Sequence, residues 1–85
     1  MKITLRYFAS VREKIGSGQE SLELPEDAAT VGAVREALVA RGGVWAEALG
    51  QDRAVRMAYN QVMCGPETAV ADGAEVAFFP PVTGG

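Results

Sequence analysis

An 85-residue chain with 48% apolar and 22% charged residues suits one small globular domain and excludes a disordered tail or a collagen-like strand. A single cysteine, Cys64, rules out an internal disulfide, and with no histidine in the chain a zinc site or a histidine-based triad is not expected. A net charge of −3 argues against nucleic acid as the main partner, and no apolar run nears the roughly 20 residues of a membrane span.

Residues 2–8 alternate: Ile3, Leu5 and Tyr7 point one way and Lys2, Thr4, Arg6 and Phe8 the other, as in a half-buried strand. Ser10 and Glu13 have the spacing of a capping box for a short helix carrying Val11 and Ile15 on one face, ended by Gly16 and Gly18. Alternation returns from Glu20 to Leu24, with Leu22 and Leu24 inward, and Pro25 stops it.

Thr30 suits the N-cap of the main helix, whose apolar face is Val31, Val34 and Leu38 with Ala37 beside them; Gly42-Gly43 ends it. A second helical piece follows, with Trp45, Ala48 and Leu49 on one side, and Trp45 is expected to pack in or beside the core. Val55, Met57 and Tyr59 alternate as a third strand, Asn60-Gln61 makes a turn, and Val62–Cys64 forms a short fourth strand broken by Gly65-Pro66. Cys64, in that apolar strand, is expected to be inert rather than reactive. After the turn Ala71-Asp72-Gly73-Ala74, residues 75–79 form the last strand, Val76 and Phe78 on one face and Ala77 and Phe79 on the other.

This order predicts an α+β fold in which one small sheet has one main helix on one face and leaves the other face open, as a β-grasp sheet does. The whole chain, 1–85, is read as a single domain, with 80–85 as a functional tail. Met1-Lys2-Ile3-Thr4 turns polar too early for a signal peptide, so a cytoplasmic protein is expected.

The tail carries the chemistry. Pro80 and Pro81 have no N–H to continue a ladder, and the six residues from Pro80 extend to at most roughly 20 Å, enough to enter another protein's active site. A carboxylate is a poor electrophile, so activating it requires a mixed anhydride with a nucleotide phosphate. Glycine at the last two positions, Gly84 and Gly85, removes the side chains that would crowd that approach. Two terminal glycines arise by chance about once in 200 chains, so alone they are also compatible with a frayed end. All eight basic residues lie at or before Arg56, whereas Glu67, Asp72, Glu75 and the terminal carboxylate follow it. A partner that grips this acidic third is expected to be basic, unless the asymmetry is chance in so short a chain.

The stretch from Asp72-Gly73-Ala74-Glu75-Val76 through Ala77-Phe78-Phe79-Pro80-Pro81-Val82-Thr83-Gly84-Gly85 closely resembles the end of the small subunit of molybdopterin synthase, the MoaD family. Tyr7-Phe8-Ala9-Ser10-Val11-Arg12-Glu13, Thr30-Val31 and Asn60-Gln61 resemble it too, so the resemblance spans the chain; Ala74 departs from it where an acidic turn residue is expected. The resemblance implies a ubiquitin-like β-grasp fold with adjacent, parallel first and last strands. It implies that an E1-like enzyme uses ATP to adenylate Gly85, and that sulfur from a sulfur-donor protein's persulfide turns it into a thiocarboxylate. The tail would then give sulfur to cyclic pyranopterin monophosphate in the large synthase subunit, forming the molybdopterin dithiolene in an assembly of two large and two small subunits. The chain itself would hold no cofactor and no metal.

With the end strands adjacent, Phe8, Phe79 and Met63 are expected to form an exposed docking patch, Arg12 pairing at its rim and Pro80, Pro81, Val82 and Thr83 entering the partner. The alternative is that the three fill a satellite core under a loop. Rival functions are a sulfur carrier for thiamine thiazole synthesis, which lacks the Phe-Phe-Pro-Pro-Val-Thr run, and a ubiquitin-like protein modifier.

Overall fold

The computed structural model describes residues 1–27 and 29–81. Its elements are β1 (Lys2–Tyr7), α1 (Ala9–Ile15), β2 (Gln19–Glu23), α2 (Val31–Val39), α3 (Gly43–Leu49), β3 (Arg56–Tyr59), β4 (Val62–Cys64) and β5 (Glu75–Phe79). The five strands form one mixed sheet in the order β2-β1-β5-β3-β4. β1 and β5 lie parallel at its centre, Leu5 opposite Val76, and the other pairs are antiparallel. This is the expected α+β, β-grasp arrangement.

The strand alternation decides which face is covered. Ile3, Leu5, Tyr7, Val76 and Phe78 are almost wholly buried under Val31, Val34, Leu38 and Leu49. Each such side chain contributes about 1.5–3 kcal/mol by leaving water. α2 is the longest helix, but α1 and α3 also reach this core through Val11, Ala48 and Leu49, so three helices share the covered face rather than one.

Local signals hold in places and fail in others. Thr30 caps α2 as expected, its hydroxyl accepting from the Ala33 N–H at 3.1 Å. The Ser10 capping box does not form: the N-cap is Phe8, with no side-chain bond, and Ser10 lies inside α1. Phe8 takes that position because the chain leaves β1 extended and turns sharply at Ala9, whose φ is 51°. Asn60 and Gln61 both have positive φ and join β3 to β4 as a two-residue hairpin. The Asn60 side-chain oxygen also accepts from the Glu75 N–H at 2.9 Å, tying that turn to β5.

Ala37 is exposed, and the fourth buried residue of α2 is Arg35. Arg35 follows Val31 by four and precedes Leu38 by three, so helical geometry places it on the buried stripe. Its guanidinium donates to the Leu49, Gly50 and Arg53 carbonyls at 2.7, 2.8 and 3.1 Å, capping the carboxyl end of α3 with a cation. Burial lowers the pKa of this guanidinium from its ordinary value, and the three carbonyls offset the loss of water.

Candidate functional site

The open face of the sheet ends where the last strand meets its prolines. Phe8, the first residue past β1, donates its N–H to the Phe78 carbonyl at 3.2 Å. That bond brings the Phe8 ring beside Phe79 on the uncovered side, with ring centroids 6.4 Å apart and planes at 80°. The edge-to-face arrangement matches the positive edge of one ring to the negative face of the other. Phe8 is exposed and Phe79 half-buried, whereas Phe78, one residue away on the covered face, is wholly buried.

A register row extends this face across four strands: Arg6 on β1, Ala77 on β5, Ala58 on β3 and Met63 on β4. Met63 is 57% exposed, so it stands open at the sheet edge rather than under a loop. It does not pack on the aromatic pair. Two strand spacings, roughly 10 Å, separate β4 from β5, and the buried alanines 58 and 77 occupy the interval. Phe8, Phe79 and Met63 thus share one apolar face with a low floor of alanine.

Cations frame this face. The Arg6 guanidinium lies 5.4 Å from the Phe8 ring centroid and 3.8 Å from a Glu75 carboxylate oxygen. Arg56 stands opposite Phe79 in register, beside the root of the tail. Arg12, expected at the rim, is exposed on α1 and its side chain runs along Gly18. It forms no ion pair among the described residues, whose pairs are Arg6–Glu75 and Arg41–Glu20.

Pro80 and Pro81 are half-buried at the end of the sheet. Val82, Thr83, Gly84 and Gly85 lie outside the described residues. Cys64 is half-buried and packs against the core from β4. Among the described residues no group of three histidine, cysteine, aspartate or glutamate side chains could hold a metal ion, and no helix is long and apolar enough to cross a membrane.

The reading of the chain's acidic last third as an acidic surface needs correction at the tail root. Folding brings Arg56 from β3, Arg53 from the loop before it and Lys14 from α1 to the end of the sheet where Pro80 sits. Linear order hid these cations because they come from segments 24 or more residues away from Pro80. The interaction of Arg6 with Phe8 was also missed, although strand alternation already put both on one face.

A second cluster lies on the covered side. Trp45 packs edge-on to Tyr7, with ring centroids 5.8 Å apart, and the Arg41 guanidinium lies 4.4 Å from the Trp45 ring centroid. Arg41 and the Tyr7 hydroxyl both donate to the same Glu20 carboxylate oxygen, at 2.8 and 3.0 Å. Burial, and after it the Glu20 charge, push the Tyr7 phenol far above its usual range, so it stays a donor. The cluster locks the helix layer to β1 and β2 and leaves no group free for chemistry.

Parallel first and last strands, one helix-covered face, one open apolar face and a proline-marked root before Gly84-Gly85 define the class of ubiquitin-like β-grasp carriers. The family model described as the ThiS family matches residues 5–85. The chain belongs to the ThiS family. It is 45% identical over 83 residues to the molybdopterin synthase sulfur carrier subunit of Haemophilus influenzae, covering 98% of this chain and 99% of that one. It is 42% identical over the same shares to the carrier subunit of that name from Escherichia coli. Among solved structures it resembles the small archaeal modifier protein SAMP1 of Haloferax volcanii, with a TM-score of 0.82 and 29% identity over the whole of both chains.

Proposed function

We propose that this chain is the sulfur carrier subunit of molybdopterin synthase. The observation that carries the reading is near-complete coverage, at 45% and 42% identity, by two carriers of that name, joined to the run from Phe78 to Gly85. An E1-like enzyme adenylates Gly85 with ATP, and a sulfur-donor protein's persulfide displaces AMP to give an acyl disulfide. A second thiol attacks the donor's sulfur, forming a disulfide with it and releasing the thiocarboxylate. The tail, with Pro80, Pro81, Val82 and Thr83 as its stem, then enters the large synthase subunit. Sulfur passes there to cyclic pyranopterin monophosphate. A dithiolene holds two sulfurs, so two charged carriers serve each product, in keeping with an assembly of two large and two small subunits.

In this reading the chain supplies the sulfur and a docking face, and the large subunit supplies acid–base and phosphate-binding groups. Phe8 and Phe79 anchor that face, Met63 extends it, and Arg12 pairs at its rim.

The test is conversion of cyclic pyranopterin monophosphate by the charged carrier and a large synthase subunit. Formation of the dithiolene product is expected. Efficient thiazole formation with no dithiolene would reverse the assignment in favour of a thiamine carrier. Likeness to an archaeal modifier favours a second reading, in which Gly85 forms isopeptide bonds. Lysine adducts of the chain on other proteins, formed with ATP and the activating enzyme, would support it.

A further inference from the structure

The open aromatic face is one side of the tail root. On the helix side of the same root lies a groove of about 260 Å³ between α1 and the segment leading into β3. Val11, Ala48 and Val55 give it an apolar lining, and Lys14, Arg53 and Glu47 give it charge. Pro80 lines it directly, while Phe79, the preceding residue, belongs to the opposite face. Lys14, Arg53 and Glu47 are exposed, and none of them forms an ion pair among the described residues.

One wall of this groove is firmly built. The buried Arg35 holds the Leu49, Gly50 and Arg53 carbonyls together, so the turn that carries Arg53 is fastened to α2 from beneath. Three charge-assisted bonds to successive parts of one turn fix its backbone and restrict where the Arg53 side chain can start. A groove with a fixed wall loses little entropy when occupied. An apolar lining beneath two unpaired cations and one carboxylate fits a side chain with an aliphatic stem and an acidic tip.

We propose that this groove is a second docking site, filled by an acidic side chain of the large synthase subunit when the tail enters it. The proposal rests on the function assigned above and adds to it the partner's chemistry on the helix side. A protein that swallows the tail up to Pro80 must enclose the root. Continuity through Pro80 puts the groove and the aromatic face in reach of one partner, gripped from both sides of the sheet. The aromatic face supplies apolar area, and Lys14 and Arg53 supply orientation and salt dependence.

The test is calorimetric titration of the full chain into the large synthase subunit, with thermal unfolding of every variant as the folding control. The Lys14→Glu, Arg53→Glu double variant is expected to bind at least tenfold more weakly and to lose most of the wild type's salt dependence. Lys2→Glu, which makes the same kind of change at the opposite end of β1, is expected to stay within twofold. Should the double reversal fail to fold, Lys14→Gln, Arg53→Gln takes its place with an expected loss of at least threefold. Binding of the folded double variant within twofold of wild type would overturn the proposal. So would a loss confined to the activating enzyme, because the occupant would then be a different protein. If the wild-type chain itself fails to bind the large subunit, the functional reading falls, which is a result distinct from failure of the groove.

Discussion

Phe78 and Phe79 are neighbours in sequence with opposite surroundings, and replacing each by alanine separates docking from folding. Phe78 is 0% exposed and sits among Leu5, Tyr7, Val76 and the α2 side chains. Its removal leaves a cavity in a small core and is expected to cost about 3–5 kcal/mol of stability. Phe79 is half-buried, and its identified partner is the Phe8 ring at 6.4 Å. Loss of that edge-to-face contact, worth about 0.5–1.5 kcal/mol, together with a fraction of a side chain's burial, gives about 1–2 kcal/mol. For a domain of this size each kcal/mol moves the melting temperature by roughly 4–8 °C, so Phe78→Ala should fall two to three times further than Phe79→Ala. Binding to the large subunit should rank the other way among folded chains. Phe79→Ala is expected to lose about 1–3 kcal/mol of affinity, as an interface anchor does. Thermal unfolding and calorimetric binding on the same preparations measure both. A Phe79→Ala chain that binds like wild type while melting as low as Phe78→Ala would refute the placement of the docking face.

Further expectations concern the groups that the structure revealed. Arg35→Met keeps the aliphatic stem and removes three donors, leaving the Leu49, Gly50 and Arg53 carbonyls without their cation; denaturant unfolding should show a loss of about 1–3 kcal/mol for each carbonyl left buried and unpaired. Tyr7 has a folded-state pKa raised above its unfolded value, so the stability it contributes is present below pH of about 10 and is lost as pH rises beyond that. Melting temperatures measured from neutral to strongly alkaline pH should therefore fall less steeply for Tyr7→Phe than for wild type. Cys64→Ser is expected to fold and to accept sulfur at Gly85 as wild type does, read by intact mass, because Cys64 packs half-buried against the core from β4, two strands from β5.

Periodicity made the sheet and its two faces legible. Ile3, Leu5 and Tyr7 against Arg6 and Phe8, and Val76 and Phe78 against Phe79, assign the covered and the open face by parity alone. Thr30 and the Asn60-Gln61 turn were likewise local and correctly read. The missed features depend on contacts between distant segments. Helical spacing puts Arg35 on the buried stripe of α2, but its partners, the Leu49, Gly50 and Arg53 carbonyls, depend on where α3 ends, and no pattern within residues 31–39 announces those. Ser10 and Glu13 carry a capping signature that the exit of β1 overrides by making Phe8 the cap residue. The cations at the tail root come from α1, the 50–55 segment and β3, so charge counted along the chain pointed to a basic partner, whereas their gathering in space calls for acidic groups as well. Adjacency of β1 and β5, which joins Phe8 to Phe79, followed from family resemblance and not from any local pattern.

The central claim is that sulfur is carried on the chain's terminal carboxylate. Its most direct test is mass analysis of the C-terminal peptide after incubation with the activating enzyme, ATP and a persulfide sulfur donor. The expected result is a mass gain equal to exchange of one oxygen for sulfur, located at Gly85, and no gain on a chain lacking Gly85. Sulfur found on Cys64, or equal charging of the chain without Gly85, would contradict the account.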